Sequence, residues 1–444
     1  MALIKDVQTE VIERDELIHC IALALLTQKN LFILGDTGQA KSYAVNEFRK
    51  RITGANQFEK LMSKQADEEQ LFGRLDLASI IPGNISKEIL IRDDGYKDIL
   101  AKVSMYSSEY STDFDNTVHR DLMVEATNKL ADYRKALAET QGGKPLMVTT
   151  GKIPDSEIVF LDEIFKANEG ILNSLLTALN EHKWTNEGTV MDLPVISFFS
   201  ASNEIPNFGN PEEKILKPLY DRFELKVLTR YVEDRDNRLK MLEQKKSTKS
   251  KKIPISITLD ELKQMQKEVM SINIPLAIDK VVDKILCELR KSKIHVSDRK
   301  FFNYHPIVQA EAYLDGADTV QRHHLLALTN YFWNTPEEIA VVKSVLERNC
   351  INPAVEEAAE MYGNALESHK QFTESTDKVK ALVKLRNEFI RIYDGLCKLK
   401  TNANQEELAQ IAEIEAEIEG LSKNAHSDAG MTYVELGEIK RLNT

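Results

Sequence analysis

A junction of three short pieces near the N-terminus narrows the fold more than any other feature. Leu31-Phe32-Ile33-Leu34 is an apolar run of the kind that forms a strand buried on both faces. Gly35-Asp36-Thr37-Gly38-Gln39-Ala40-Lys41-Ser42 follows at once, and Tyr43 to Arg51 reads as a helix. Strand, glycine loop and helix in that order are the context a phosphate-binding loop requires. Glycines let backbone N–H groups turn inward around phosphate oxygens. The helix start adds unpaired donors and the positive end of its dipole. In this reading Gly35 to Tyr43 holds ATP, Lys41 reaches the β- and γ-phosphates, and the Ser42 hydroxyl ligates Mg2+. One position departs from the common GxxxxGK[ST] pattern, because Ala40 stands where the second glycine usually is. Alone, the motif competes with a chance glycine turn.

Glu157-Ile158-Val159-Phe160-Leu161-Asp162-Glu163 is the second signal: a buried strand with two carboxylates at its C-terminal end. Ligands of parallel α/β sheets sit at that end. Asp162 is placed to share the magnesium with Ser42, and Glu163 to orient and deprotonate a water attacking the γ-phosphate. The plain alternative is a strand ending in solvated acids. Ile164 to His182 reads as a helix with Ile171, Leu175, Leu176 and Leu179 on one side. Asn186-Glu187-Gly188, between two short extended pieces, reads as a β-hairpin turn. Leu193 to Asn203 is a further buried strand ending in a polar residue, Asn203, which can contact the γ-phosphate or the water. A lone asparagine at a strand end is also a common turn former.

With 444 residues the chain exceeds one compact core, so two or three domains are expected. No apolar run approaches the length needed to span a bilayer, and the start Met-Ala-Leu-Ile-Lys-Asp lacks the layout of a secretory signal. The cytosol is therefore the expected compartment. Cys20, Cys287, Cys350 and Cys397 are scattered and read as reduced thiols rather than a zinc site. The adjacent His323 and His324 are expected on different sides of a helix, without a shared metal. A net charge of −12 argues against a protein that coats nucleic acid. The basic cluster Lys245 to Lys252 reads as a solvated linker, with a phosphate or acidic-partner contact as the sharper alternative.

As a set these motifs resemble the MoxR family of AAA+ ATPases, and most closely its RavA-like branch. The likeness is carried by Gly35 to Ser42, Leu71-Phe72-Gly73, Ile158 to Lys166, Ile171 to Glu181, Ser200 to Pro206 and Leu219 to Phe223, and covers roughly residues 1–335. Alanine in the phosphate loop is familiar in that branch. The resemblance implies that Arg222 is the arginine finger, reaching the γ-phosphate of the adjacent subunit. Read from the residues alone, Arg222 is an arginine after an apolar helix, suited to a surface salt bridge. The resemblance also implies that Arg299 is the sensor-2 arginine at the start of a lid helix, with Ser297 as its N-cap. It further implies that Trp184 to Val190 is the hairpin inserted before the Asn203 strand, and that the segment near Ile12-Glu13-Arg14 packs on the base.

One departure is large. The phosphate loop and the acidic strand lie about 120 residues apart, well beyond the family spacing. The excess falls between about Ile81 and Lys144. It holds an aromatic, polar stretch from Tyr106 to Phe114 and a predicted helix over Asp121–Glu139, with Leu122, Ala126, Leu130, Tyr133 and Leu137 at helical spacing. The family carries a short pore-lining insert in its second ATPase-domain helix. An enlarged one can grip a substrate or partner, or be a decorative subdomain.

The fold expected is α/β: an AAA+ P-loop αβα domain with a parallel sheet over 1–230, a linker at 231–254, an all-α lid over 255–350, and a C-terminal helical extension over 351–444. In the extension, Val379 to Leu399 and Leu408 to Leu421 step by three or four and form a helical hairpin, with Asn404 and Glu407 as a capping box. The final twenty residues show little pattern and are expected to be mobile.

The function expected is ATP hydrolysis in a ring, six subunits being the family habit, coupled to remodelling or assembly of client proteins. The resemblance implies a partner carrying a von Willebrand factor A domain. Two alternatives stay open: a nucleic-acid-dependent motor, against which the net charge counts, and an ATP-binding assembly switch, which has no use for the water activator Glu163. No membrane partner is expected.

Overall fold

The computed structural model describes residues 1–81, 84–113, 116–141, 146–186, 189–246, 254–351, 353–375, 377–401 and 405–438. The chain divides into two compact units, Met1–Val269 and Met270–Thr444.

The first unit is built on five parallel strands: β1 (Leu31–Leu34), β2 (Gln57–Leu61), β3 (Ile158–Asp162), β4 (Ser197–Ser202) and β5 (Leu225–Leu228), in the order β5-β1-β4-β3-β2. β1 and β4 are buried along their whole length, as strands covered by helices on both faces must be. The edge strand β2 alternates instead, with Phe58 inward and Glu59 outward. Asp162, the last residue of β3, stands opposite Ala201 of β4 and Leu61 of β2. The carboxylate strand and the strand preceding Asn203 therefore end side by side.

In helix α1 (Asp15–Thr27), Leu17, Ile18 and every residue from Cys20 to Leu26 are buried. α2 (Lys41–Arg49) follows the glycine loop. α3 (Glu169–Glu181) begins at Asn168, whose side chain accepts from the Ile171 N–H at 3.1 Å. It ends on left-handed His182 and leads into an antiparallel hairpin, Lys183–Asn186 with Thr189–Asp192. The residues read as its turn, 187–188, lie outside the described residues. Trp184 anchors the hairpin: its ring stacks on Phe72 with centroids 5.3 Å apart, and its indole N–H donates to Glu68 at 2.9 Å.

The long insertion is a pair of helices, α4 (Asp94–Thr112) and α5 (Thr117–Gln141). The second contains the helix predicted over Asp121–Glu139. The first replaces the stretch read only as aromatic and polar: its half-buried Ile99, Val103, Tyr106 and Tyr110 keep helical spacing between serines. Phe114 and residues 142–145 lie outside the described residues. Arg74–Leu75 pairs antiparallel with Met147–Val148 at the base of the insertion. Arg92 bonds there to Glu88 at 3.0 Å and to the Thr149 hydroxyl at 2.9 Å. A Cβ on Gly95 would sit 2.3 Å from the Tyr133 hydroxyl, so a side chain there would push the end of that ring aside.

A further helix, α6 (Arg235–Lys246), runs through the stretch read as linker, and α7 (Leu259–Ser271) follows. The part of the basic cluster from 247 to 252 lies outside the described residues.

The second unit begins with the helices α8 (Leu276–Lys291), α9 (Asp298–Phe302), α10 (His305–Asp315) and α11 (Ile339–Cys350). Pro275 precedes α8 and Pro306 sits in the first turn of α10, where a missing N–H costs nothing. The C-terminal extension carries α12 (Pro353–Glu374), α13 (Lys378–Lys400) and α14 (Gln405–Asp428). The two helices expected as a hairpin are joined by a third. Ala358, Ala365 and Phe372 share a core with Leu382, Leu385, Phe389, Ile392, Leu396, Ile411 and Ile418. Val379, counted with that stripe from sequence, is 51% exposed. Asn404 lies outside the described residues.

Of the last twenty residues, expected to be mobile, 425–438 are described and pack on the bundle. Helix α14 runs to Asp428, and Leu436 is fully buried in the bundle core. The Leu436 N–H donates to Glu419 at 2.9 Å, and the Tyr433 hydroxyl donates to the same carboxylate. His323 and His324 also differ from expectation. They lie on a 3-10 turn with ring centroids 4.0 Å apart, and both rings approach one oxygen of Asp315 at 3.3 Å. No disulfide joins the four cysteines, and burial pushes the Cys350 thiol up to about 12. No helix among the described residues is long and apolar enough to cross a membrane.

Candidate functional site

The glycine loop closes over the C-terminal end of β1. The Gly35 N–H donates to the Ser202 carbonyl of β4 at 3.1 Å. A Cβ on Gly35 would fall 2.0 Å from the Thr229 hydroxyl and 2.3 Å from the Gln39 amide oxygen, so no side chain fits. Gly38 has φ of +83°. Ala40 has φ 58 and ψ 28, the left-handed region, at the position where the common loop carries glycine. Alanine closes the loop there at a cost of about 1–2 kcal/mol.

Three contacts hold the loop from outside. The Thr229 hydroxyl, just past β5, lies 3.1 Å from the Leu34 carbonyl and 2.7 Å from the Gln39 side-chain oxygen. The Tyr231 hydroxyl donates to the Thr37 carbonyl at 3.3 Å. Arg14 Nε donates to the Gln39 carbonyl at 3.0 Å, and burial lowers the pKa of that guanidinium. Its neighbour Glu13, at φ 55, accepts from the N–H groups of Glu233 and Asp234 at 3.0 and 3.2 Å and from the Asn237 amide at 2.9 Å. Asn237 contributes most to holding the Glu13 carboxyl below the usual range; the two backbone donors add to it and burial opposes it. Glu13 and Arg14 thus tie the loop to the start of α6. Isolated polar residues of this kind carry no sequence pattern, and none of Thr229, Tyr231 and Asn237 was legible.

Inside the loop, Lys41 is 7% exposed. Its ammonium donates to the Gly35 carbonyl, to the Asp36 carbonyl at 3.2 Å and to Asn203 Oδ1 at 2.8 Å. Desolvation lowers its pKa, against the pull of the Asp162, Glu163 and Asp36 carboxylates, and the Lys166 ammonium adds to the lowering. The Asn203 amide donates to the Thr37 hydroxyl at 3.3 Å. The Ser42 hydroxyl donates to Asp162 Oδ2 at 3.1 Å. Glu163 follows at φ 55 and ψ 45, strained for a residue with a side chain, and Lys166 Nζ lies 3.3 Å from its carboxylate.

This cradle fits a nucleotide with its metal. Among the described residues, none accepts a hydrogen bond from the backbone N–H of any residue from Asp36 to Tyr43, which leaves a run of donors for phosphate oxygens. The Ser42 hydroxyl and Asp162 carboxylate are hard oxygen ligands within reach of one Mg2+.

The structure therefore brings together the loop 35–43 with Asp162, Glu163 and Asn203. Arg222 is not among them. It lies between β5 and the short helix Lys217–Tyr220, and its carbonyl accepts from Asn30 at 3.2 Å, next to the start of β1. That is the opposite end of the sheet from the loop, about 10 Å of strand away. No described residue takes its guanidinium in a hydrogen bond or ion pair. Arg299 belongs to the second unit, in the first turn of α9, which Ser297 caps by accepting from the Lys300 N–H at 3.3 Å.

A five-stranded parallel αβα domain with this loop and acidic strand, followed by a helical lid, defines an ATPase of the AAA+ class. Residues 277–346 match the AAA lid domain. Within that class the chain belongs to the MoxR family: residues 1–90 and 135–267 match the MoxR domain of the MoxR-vWA-beta-propeller ternary systems. The unmatched 91–134 falls on the helical insertion. Two uncharacterized proteins of Methanocaldococcus jannaschii are similar. One is 30% identical over 327 residues, 74% of this chain and 69% of that protein. The other is 27% identical over 390 residues, 87% of this chain and 83% of that protein. The fold is shared with a candidate ATPase from Cytophaga hutchinsonii, at a TM-score of 0.52 and 15% identity, over 78% of this chain and 92% of that one.

Proposed function

We propose that this protein hydrolyses ATP in sites shared between neighbouring copies and uses the turnover to remodel or help assemble partner proteins, as a member close to the RavA-like branch. The convergence of Lys41, Ser42, Asp162, Glu163 and Asn203 on one loop carries the hydrolytic part of this reading. ATP with magnesium supplies the transferable phosphoryl group and the charge that Mg2+ neutralises. The chain's own groups do the rest. Lys41 leaves the Gly35 and Asp36 carbonyls to pair with phosphate oxygens, while Ser42 and Asp162 hold the metal. Glu163 accepts the proton of the attacking water, and Asn203, released by Lys41, orients it.

Arg222 cannot serve the loop of its own chain from the far end of the sheet. An unpaired guanidinium there suits the site of an adjacent copy, and a closed ring, six-membered in the family, satisfies every copy. Arg299 acts as the lid's sensor of the nucleotide. The system named by the family model supports a von Willebrand factor A partner.

ATP turnover per subunit, measured against protein concentration with and without Arg222→Ala, tests this reading. Turnover that rises with concentration and collapses in the variant is expected. Flat turnover indifferent to Arg222 overturns both the finger and the ring.

A further inference from the structure

We infer that Lys166 is a positioning residue for the Glu163 carboxylate. This rests on the hydrolytic reading above. Glu163 heads the 3-10 turn Ile164–Lys166, and Lys166 holds it at two points. The Lys166 N–H donates to the Glu163 carbonyl at 2.9 Å, and Lys166 Nζ lies 3.3 Å from Glu163 Oε2. Among the described residues no other side chain takes that carboxylate in a hydrogen bond or ion pair.

The two ends of this pair are unequal. The Glu163 side chain is 14% exposed and the Lys166 side chain 60%. The carboxylate is thus largely buried, and the ammonium reaches it from the solvent side. Glu163 has left-handed backbone at the point where β3 ends and the turn begins. The Lys166 charge is also felt at Lys41, which places it within electrostatic range of the phosphate cradle. An exposed ion pair adds little to stability. One that fixes the orientation of a proton acceptor acts on the rate instead, because small displacements of a reacting group are costly. Lys166 keeps Glu163 aimed across the cradle and touches no reacting atom itself.

The test is steady-state ATP turnover by the full chain for wild type, Lys166→Ala, Lys166→Arg, Glu163→Gln and the Lys166→Ala/Glu163→Gln double variant, with fluorescent-nucleotide binding as a check on folding. Lys166→Ala is expected to lower kcat roughly ten- to a hundred-fold with KM for ATP unchanged. Lys166→Arg should restore most of the loss, and Lys166→Ala should add nothing once Glu163 is glutamine. The inference is overturned if Lys166→Ala leaves kcat unchanged, if its loss lies in KM or nucleotide binding, or if the same factor persists in the Glu163→Gln background. Should Glu163→Gln itself turn over ATP at the wild-type rate, the hydrolytic reading falls, and this inference with it.

Discussion

The Ser42 hydroxyl donates to Asp162 Oδ2 at 3.1 Å across 120 residues of sequence. One belongs to the first turn of α2 and the other to the end of β3, and the sheet order brings both to one edge of the loop. If this pair holds the metal, Ser42→Ala should raise the Mg2+ concentration needed for half-maximal turnover roughly ten- to a hundred-fold. The shift should be much smaller for nucleotide binding without Mg2+. A magnesium titration of ATPase activity checks it, and an unchanged midpoint removes Ser42 from the metal.

Ala40 occupies left-handed backbone that glycine adopts freely. Ala40→Gly removes a strain of about 1–2 kcal/mol and adds back part of that as unfolded-chain entropy. The net expectation is a gain of about 0.5–1 kcal/mol, read from the urea midpoint at unchanged slope. Ala40→Val should lose more than the alanine does, because branching at Cβ worsens the same clash.

The loop and both polar strand ends were legible because each follows an apolar run, and the hydrophobic pattern locates the strand before any fold is assumed. The contacts that brace the loop were not. Thr229, Tyr231 and Asn237 act through hydrogen bonds set by tertiary placement, and no periodicity marks such positions. Besides α6, which runs through the stretch read as linker, two helices were hard to read for other reasons. In Asp94–Thr112 the apolar face is interleaved with serines and no residue is fully buried. The seam of α12 is made of Ala358, Ala365 and Phe372, one heptad apart, and alanine is a weak hydrophobic signal. Arg222 could be placed from the family pattern, but its distance from its own loop follows only from the sheet.

Glu13 gives the fold a pH dependence with a definite sign. Its folded pKa lies below the usual 4.5, mainly through Asn237. The unfolded chain therefore binds more protons in that range. The stabilisation is present above pH 4.5 and is lost as the pH falls through the lowered folded value. Glu13→Gln should be less stable than wild type at neutral pH and lose less on acidification, so the two stabilities converge once the pH falls below the lowered folded value. A constant gap down to low pH would mean that the carboxylate's charge has no part in holding α6.

The helical insertion should be separable from the nucleotide site. The family match stops at residue 90 and resumes at 135, which brackets α4 and most of α5. The base survives such a cut: the Arg74–Leu75 pairing with Met147–Val148 lies outside it, as do Ile85, Leu90 and Ala138, the buried residues of the small cluster beneath the helices. Arg92 and Asp93 sit at the boundary, and Asp93 loses its 3.1 Å bond to the Tyr133 hydroxyl. Replacing residues 94–134 by a short glycine-serine linker should therefore leave the chain folded, with nucleotide binding within a few-fold of wild type, because loop length costs closure entropy only slowly. Any function the insertion has in contacting other molecules would be lost without loss of ATP binding. Circular dichroism and nucleotide titration of the shortened chain check this. A collapse of nucleotide binding alongside native helix content would instead make the insertion part of the site.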